Sequence, residues 1–522
     1  MKKNFLLVAL LAGSLGANSF AATEIYVKAS TGSDSYNGLS WDTAFKTVSK
    51  AIGSVQENEE TIIYLEANTV FDTGGQLDLG NNKIVSIIGD NTTLRAAEKA
   101  GKDGGEGARI LRAVGGCDLS LKGITFLNGR QIEYNPGGGV FFAGNTLVVD
   151  SCTFIDNESG SGGSGIASRG VSVTVRNSYF DGNYVNSGYG TGAAIVQAGV
   201  NNGEAGTLLV ENCTFYRNDL NGVGTAISTK DAGAGYSNMK EVKIVNCTFL
   251  ENTSDLANQA AIDVSDNSEI PVKIINNTFY GNDGALRVGD IYGEKGGEVI
   301  FINNLVFANA SGIFGAEGYS VADLRSPIIG YNNIIVGAER GVNEFIDDEC
   351  FNDKKDLYNN RVETLASYPL SMVSLATELS TDNYVPYLAL TAENSDAVNA
   401  GYATGTYAEL IPATDIRGKY AAGTRDIGAY EYGGLDDDDE SAISSVVADA
   451  SDFVIARNGD QVTVVNTADR RFTLTVVDML GRTLYTAEAA GQLTVDKQEL
   501  GARCVIFVLT DGVSKKAEKV ML

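Results

Sequence analysis

The sequence predicts an all-β protein: a long solenoid of stacked strands with an N-terminal capping helix, followed by a small antiparallel β-sandwich. The solenoid is predicted by a strand-and-turn motif that recurs through the middle of the chain. The composition agrees, since 61 glycines and only six prolines are typical of a folded chain with many tight turns. The sandwich is predicted by alternating apolar residues that follow a late acidic stretch.

The recurring motif is Phe-x-x-Asn, repeated at intervals of 26 to 35 residues. Apolar residues alternate within each copy, which favours short strands over helix. Parallel stacking at about 4.8 Å would then align equivalent side chains in ladders. The expected phenylalanine ladder is Phe126, Phe154, Phe180, Phe215, Phe249 and Phe279, with looser copies at Val306 and Ile335. The expected asparagine ladder is Asn157, Asn183, Asn218, Asn252, Asn282 and Asn309. We interpret these asparagines as structural turn residues that tolerate the left-handed region, rather than as a ligand-binding row.

A second element, in which small residues precede an apolar one, follows each asparagine and predicts another face of the coil. It is centred on Ile166, Ile195, Ile227, Ile262 and Leu286. The gap between the elements varies from copy to copy and holds insertions such as QAGVNNGEAG and TKDAGAGYSNMK. Variable loops on one side of a solenoid are where partners usually bind.

Both ends of the solenoid carry distinct signals. Residues Ser40–Val55 place Ala44, Phe45, Val48 and later apolar residues on one helical stripe, with Ser40 or Asp42 as the cap. This helix would cover the first coil and protect its strand edge, while TIIYLE and KIVSIIGD would form the first coils. Residues 1–22 read as a signal peptide, and no later run is long enough to span a membrane.

Composition excludes several function classes. The chain has no histidine, which removes Ser-His-Asp and Cys-His catalysis and His-ligated zinc. Its formal net charge of −27 argues against nucleic-acid binding. The six cysteines contain no C-x-x-C pair, and Cys213 and Cys247 are expected as stacked buried thiols on neighbouring coils rather than as a disulfide. Cys152 lies a coil further away, beyond Ser178.

The repeat of Phe-x-x-Asn and Gly-Ala-Ile-like strands, from Leu119 to Asn309, resembles that of chlamydial polymorphic outer-membrane proteins. It is also similar to other right-handed parallel β-helix proteins of pectate-lyase-like architecture. The resemblance implies a right-handed parallel β-helix over residues 23–432. The segment from Ser395 to Tyr432, with Asp426, Gly428 and Glu431, resembles the closing segment of the choice-of-anchor Q family of surface proteins.

The closing segment groups Asp415, Arg417 and Arg425 with Asp426 and Glu431. Such a group could serve acid–base chemistry, but charge pairs that end the solenoid are the favoured interpretation. Residues 433–446 are interpreted as a solvated acidic linker rather than a calcium loop, because a calcium loop needs spaced ligands.

Residues 447–522 would form the sandwich, and the sequence DMLGR, with Asp478, Gly481 and Arg482, resembles the C-terminal sorting domain of type IX secretion in Bacteroidetes. Cys504 and Val505 depart from that family, which usually shows tyrosine there. The resemblance implies that the type IX machinery is a partner and that the protein is secreted or attached to the outer-membrane surface.

The leading functional hypothesis is a binding or adhesin-like module for glycans or cell surfaces, with no catalytic residue and no cofactor assigned. The alternative is a polysaccharide lyase or glycoside hydrolase. Lyases of this fold abstract a proton with Lys or Arg and neutralise a uronate with calcium held by carboxylates. Candidates for that chemistry are Asp255, Asp263, Asp266, Asp283 and Asp290, with Lys273 and Arg287. A third hypothesis is a passive surface spacer.

Overall fold

The computed structural model describes most of the chain outside the first 21 residues. The described residues are 22–132, 135–199, 205–229, 239–254, 260–264, 270–287, 298–309, 313–314, 328–337, 359–436, 453–458, 461–466, 470–478, 483–496, 504–510 and 515–521. The chain divides into two compact units, Met1–Ala442 and Ile443–Leu522. Nearly all of the predicted signal peptide, and residues 437–446 of the predicted linker, lie outside the described residues.

The first unit is a parallel β-helix, as predicted. Each complete coil passes through two consecutive strands of a long sheet A, then a short strand of sheet C, then a short strand of sheet B. Every strand pair in these three sheets is parallel and joins one coil to the next, as Phe154 joins Phe126 and Phe180. Alternating side chains point inward, so a strand such as Glu60–Leu65 buries every second residue.

Sheet A has two arms, one for each of its strands in a coil. Its strands are Thr23–Val27, Glu60–Leu65, Val70–Asp72, Ile84–Arg95, Asp118–Leu127, Thr146–Asp150, Thr153–Ile155, Ser172–Arg176, Tyr179–Asp181, Gly206–Glu211, Thr214–Tyr216, Met239–Val245, Thr248–Leu250, Val272–Ile275, Thr278–Tyr280, Val299–Ile302, Leu305–Asn309, Ile328–Tyr331, Ile334–Gly337 and Arg361–Thr364.

Sheets B and C complete the coils. Sheet B contains Leu77–Asp78, Leu111–Val114, Val140–Ala143, Ile166–Ser168, Ile195–Gln197, Ile227–Ser228, Ile262–Asp263, Leu286–Arg287 and Ile313–Phe314. Sheet C contains Arg130–Gln131, Glu158–Ser159, Tyr184–Thr191, Asp219–Val223 and Thr253–Ser254. The predicted second face of the coil is therefore sheet B, since Ile166, Ile195, Ile227, Ile262 and Leu286 pair in register along it.

The predicted phenylalanine ladder fills the interior. Six rings, from Phe126 to Phe279, stack with centroids 4.8 to 4.9 Å apart and planes within 3 to 11° of parallel. Val306 and Ile335 continue the same register, as expected. All these side chains are buried, so the ladder forms the continuous core of the column.

The predicted asparagine ladder is also present and links the coils by side-chain amides. Asn183 is representative: its Nδ2 donates to Asn218 Oδ1 at 2.9 Å and to the carbonyl oxygen of Phe154 at 3.0 Å. Its Oδ1 in turn accepts from the backbone and side-chain nitrogens of Asn157. Each inner amide is thereby satisfied inside the column, which supports a structural role for the row.

One part of the turn interpretation is wrong. The ladder asparagines do not adopt the left-handed conformation, which belongs to the residue before each of them. These preceding residues are Asp156, Gly182, Arg217, Glu251, Gly281 and Ala308, with φ between 49° and 66°. The ladder asparagine instead keeps its side chain turned inward, where the amide reaches both neighbouring coils.

A second asparagine ladder joins Asn277, Asn304, Asn333 and Asn360 at the turn between the two arms of sheet A. In earlier coils the same position holds Cys152, Ser178, Cys213 and Cys247. The described cysteines Cys117, Cys152, Cys213 and Cys247 are buried and free, which confirms stacked thiols at Cys213 and Cys247. This second ladder was not predicted. Four Asn-Asn pairs at repeat spacing, each ending in a ladder residue, mark it in the sequence.

The N-terminal cap is shorter than predicted. Helix α1 spans Val48–Ser54 and is capped by the Thr47 side chain, whereas Ser40 caps a separate 3₁₀ turn, Trp41–Thr43. The chain between them is extended, and Phe45 forms a parallel bridge with Val27 of the first strand. Covering that strand edge by β-pairing is incompatible with one continuous helix, because an extended residue cannot make helical hydrogen bonds. Further 3₁₀ turns are Gly101–Asp103, Leu370–Met372 and Ala408–Leu410.

The second unit contains two small antiparallel sheets, as predicted. One holds Phe453–Asn458, Gln461–Asn466 and Gln492–Asp496; the other holds Arg471–Asp478, Thr483–Ala490, Cys504–Thr510 and Lys515–Met521. Phe453 of the first sheet meets Phe472 of the second edge to face, with centroids 5.6 Å apart. Val462, Leu474 and Phe507 are buried in the same cluster, so the two sheets share one core.

Candidate functional site

The carboxylates and cations suggested for lyase chemistry do not come together. Lys273 lies on sheet A, where its Nζ is 2.5 Å from Glu241 Oε1 of the previous coil. Asp263 and Arg287 are neighbours on sheet B, both buried, with Arg287 3.7 Å from Asp263 Oδ2. Asp283 follows the asparagine ladder on the sheet C side, and its Oδ2 accepts from the Ser254 backbone nitrogen at 2.6 Å.

Three faces of the column therefore hold these candidates, which are Lys273, Asp263, Arg287 and Asp283. Each of the four has a protein partner. Asp255, Asp266 and Asp290 lie outside the described residues. Within the described ranges, no three Cys, Asp or Glu residues are grouped so that they could hold a metal ion. The described faces thus do not assemble the base and the calcium site that a lyase needs.

The closing motif is buried and internally bonded. Asp426 accepts from the backbone nitrogens of Asn399 and Tyr432 at 2.7 and 2.6 Å. Glu431 accepts from the Arg425 guanidinium at 2.7 Å and from the Asp426 nitrogen at 3.0 Å. Burial raises the pKa of Glu431 to about 7, although Arg425 opposes the rise. Gly428, with φ of 109°, adopts a conformation that glycine favours.

The other two members of the cluster hold the same segment together. Asp415 accepts from the backbone of Arg417, Lys419 and Glu431 at 2.8 to 3.0 Å. Arg417 pairs with Asp415 at 2.7 Å and stacks over Tyr430, with its guanidinium carbon 3.9 Å from the ring centroid. These contacts fix the backbone of the segment, and they support the structural interpretation over acid–base catalysis.

The sequence predicts that the closing segment ends the solenoid. In the structure it lies instead along the side of the column. We define the lateral strap as residues 365–436. It lies along the outer face of sheet A and makes hydrogen bonds to many coils. Its contacts with the column join Tyr384 to Ser151, Pro386 to Thr214, Thr414 to Asn246, Asp426 and Gly428 to Asn276, Tyr402 to Asn303, and Ala400 to Asn332.

The strap lies there because the outer face of sheet A is apolar in the later coils. In the later coils the outward positions of sheet A are Leu250, Leu305, Phe307, Ile334 and Val336, all buried. They form one cluster with strap residues that include Tyr368, Val373, Leu375, Leu388, Leu390 and Ile427. Such a face cannot be left in water, so the strap covers it. Four left-handed asparagines, Asn246, Asn276, Asn303 and Asn332, then anchor the strap by their side chains.

A partly exposed aromatic group lies at the start of the column and was not predicted from the sequence. Tyr26 and Tyr64 pair in register on the first two strands of sheet A, with ring centroids 5.3 Å apart. Trp41 meets Tyr26 edge to face at 5.0 Å and keeps 44% of its surface exposed. The sequence does carry a signal for this pair, since Tyr26 and Tyr64 occupy equivalent positions in IYV and IIYL.

Insertions concentrate at one corner, where sheet B leads back to sheet A. Only residues 169–171 separate the two sheets in one coil, between Ser168 and Ser172. Later coils carry longer connections, which are residues 198–205, 229–238, 264–271, 288–298 and 315–327. The quoted insertions QAGVNNGEAG and TKDAGAGYSNMK fall at this corner.

The sorting motif is only partly described. Asp478 ends strand Arg471–Asp478 in the second unit, whereas Gly481 and Arg482 lie outside the described residues.

Comparison with known proteins supports the fold. Residues 119–306 match the family described as "right handed beta helix region". This range covers the repeats and matches the parallel sheets, so the column is a right-handed parallel β-helix. No curated protein matches the chain. Within the described residues, no helix has the length and apolar character needed to cross a membrane.

Proposed function

We propose that the protein is a secreted, surface-located β-helix that binds a glycan or a cell surface through the loops of its sheet B-to-sheet A corner. We define the corner as the set of connections that lead from sheet B to sheet A. The column acts as a rigid support, and the corner connections provide the contacts.

The observation that carries the proposal is the unequal length of these connections in successive coils. Strands on either side keep their register, as Ile195 with Ile227 and Leu208 with Val242 do. Variation in length is therefore concentrated in these connections, while the strands beside them stay in register. Loops held by a rigid scaffold are where binding residues usually lie.

Export and surface location are supported by the two ends of the sequence. Residues 1–22 have the charged, apolar and small-residue regions of a signal peptide. Asp478, Gly481 and Arg482 carry the resemblance to a type IX sorting domain, and Asp426, Gly428 and Glu431 carry the resemblance to choice-of-anchor Q surface proteins. Together these resemblances favour outer-membrane translocation in a member of the Bacteroidetes, followed by release or attachment at the surface.

The proposal is tested by measuring whether the protein is retained on glycans or on cells. Purified mature protein is applied to glycan arrays and to bacterial and epithelial cells at several ionic strengths. Saturable retention on at least one of them is expected. No retention on any array or cell, at any ionic strength, would contradict the proposal and leave the passive spacer.

A parallel assay addresses the lyase and hydrolase alternative. The same protein is incubated with a polysaccharide panel, with and without calcium, and unsaturated uronate absorbance and new reducing ends are followed. Because Lys273, Asp263 and Asp283 lie on different faces, no turnover is expected. Turnover that is lost on changing one of these residues would replace the binding role by an enzymatic one.

A further inference from the structure

The aromatic group at the first coils has the geometry of a surface made for contact. Tyr26 and Tyr64 project outward from adjacent strands of sheet A, and Trp41 lies against Tyr26. Tyr26 and Tyr64 are half-buried, whereas Phe45, which seals the first strand, is only 4% exposed. Trp41 instead keeps 44% of its surface in solvent.

The turn before Trp41 carries two further exposed apolar side chains. Its Gly38 carbonyl accepts from the Tyr26 backbone nitrogen at 2.8 Å, so this turn lies beside the strand. Tyr36 and Leu39 flank that glycine and are 48% and 60% exposed. Aromatic side chains with one apolar face and one wet end are favoured where a polar ligand also presents apolar faces.

The carboxylate of Glu24, next to the rings, indicates which class of ligand fits this surface. Glu24 is exposed on the same face of the first strand, and its Oε2 accepts from the Tyr26 hydroxyl at 2.6 Å. A carboxylate accepts hydrogen bonds and repels anions, and the net charge of −27 adds to that repulsion. Neutral hydroxyl donors fit beside it, whereas uronates and sulfated sugars do not.

The geometry points to a carbohydrate-stacking platform formed by Trp41, Tyr26 and Tyr64, with Glu24 as hydroxyl acceptor, that binds a neutral pyranose chain. Pyranose rings offer apolar C–H faces to aromatic rings and hydroxyls to the carboxylate. The inference rests on the proposed glycan-binding role, but it concerns a surface separate from the corner loops.

Trp41 provides its own reporter because it is the only tryptophan in the chain. Mature full-length protein is titrated with gluco-, manno- and xylo-hexaose, and with oligogalacturonate as the anionic comparison. At least one neutral hexaose should change the Trp41 emission saturably. Oligogalacturonate should not do so at tenfold higher concentration.

Single substitutions distinguish the loss of a stacking ring from a loss of folding. Tyr64→Ala keeps the reporter and should weaken binding by about fivefold to tenfold. Trp41→Ala, followed by calorimetry, should weaken it at least as much. Tyr384→Ala is the matched control, since Tyr384 is 57% exposed on the strap and should leave the affinity unchanged. Thermal unfolding of each variant must match that of the wild type for the comparison to count.

Three results would overturn the platform. They are no emission change with any neutral hexaose, wild-type affinity in both Tyr64→Ala and Trp41→Ala, and concentration-dependent dimers in sedimentation that Trp41→Ala abolishes. The last result would make the patch a contact between copies of this chain. Trp41→Ala is therefore also applied to the arrays and cells. Retention that this variant keeps reports the corner loops, whereas retention that it loses reports the platform, so either proposal can fail while the other stands.

Discussion

At the scale of single residues, the asparagine ladder is held by complete amide pairing. Asn218 lies in the middle, donating to Asn252 at 2.9 Å and accepting from Asn183 at 2.9 Å, with no exposed surface. Replacing it with alanine removes the acceptor of the Asn183 backbone and side-chain nitrogens. It also removes the amide donor to Asn252 Oδ1 and to the Phe180 carbonyl oxygen. Asn218→Ala should lower the free energy of unfolding by about 2–4 kcal/mol, measured by urea denaturation.

Asn145→Ala is the control for that change. Asn145 makes a comparable amide contact to Gly116, 3.0 Å long, but at an exposed position. Its loss should cost less than about 1 kcal/mol, because water replaces the partner. Equal effects for the two variants would mean that the ladder contributes no more than a surface contact.

The raised pKa of Glu431 predicts a pH dependence. Between about 4.5, the ordinary value, and about 7, only the folded state holds the proton. Stability should therefore fall as pH rises through this range and stay lower above it, by about 2–3 kcal/mol. Since the chain has no histidine, few other groups titrate between pH 5.5 and 7.5. Urea unfolding at these pH values should show the decline, and Glu431→Gln should flatten it. A decline that persists in the variant would assign it to other groups.

Residue identity predicted the ladders well, because the same side chain recurs at one position of each coil. The left-handed positions could not be assigned this way, since Asp156, Arg217 and Glu251 share a backbone conformation but no residue type. The second ladder was missed for a related reason. Its position holds cysteine or serine up to Cys247 and asparagine from Asn277, so the Asn-Asn pairs mark it only in the later coils.

At the scale of elements, the strap depends on its asparagine anchors. Asn276 donates to the carbonyl oxygens of Asp426 and Gly428 at 3.1 and 3.3 Å, and its own φ is 53°. Asn276→Gly removes the amide but permits the left-handed backbone. Hydrogen exchange of residues 415–432 should accelerate about tenfold in this variant.

Asn177→Gly is the matched control for the anchor. Asn177 has φ of 49° in the same column of turns, but its amide donates to Asp150 rather than to the strap. Strap exchange should stay at the wild-type rate in this variant. Equal acceleration in both would show that backbone entropy, not the anchor, governs the strap.

The second ladder offers a gain-of-contact prediction. Cys247 donates from its backbone nitrogen to Asn277 Oδ1 at 2.9 Å, and its sulfur faces the Val210 carbonyl oxygen. An asparagine there can repeat the pattern of Asn277, whose Nδ2 reaches Ile244 at 3.0 Å. Cys247→Asn should keep the free energy of unfolding within about 1 kcal/mol of wild type in urea denaturation. Cys247→Leu should cost about 1–3 kcal/mol by overpacking, and a larger loss for the asparagine would contradict the shared geometry.

The coil strands could be predicted because alternation and repeat spacing are local. The strap could not, since its contacts join residues as distant in sequence as Thr214 and Pro386. The cap helix was predicted too long for a similar reason. Phe45 lies on the apolar stripe, but its bridge to Val27 overrides the local helical pattern.

At the scale of the whole molecule, the proposed function assigns support to the β-helix column and recognition to its corner connections. Amide ladders, the phenylalanine stack and the strap hold the coils, while connections of unequal length meet at one corner. The half-buried rings of Tyr26 and Tyr64 lie on sheet A at the first coils, with the exposed ring of Trp41 against Tyr26. The candidate lyase groups were plausible in sequence because Asp263, Lys273 and Asp283 are close along the chain. The coil places them on different faces.

The central claim is that the corner connections bind the ligand. It is tested most directly by replacing residues 230–238 with the short connection of residues 169–171 and measuring retention on the array or cells that hold the wild type. Tyr384→Ala, an exposed change on the strap and away from this corner, serves as the control. We predict that the shortened variant unfolds at the wild-type urea concentration but loses at least tenfold in retention, while the control keeps it. Full retention by the shortened variant would contradict the account.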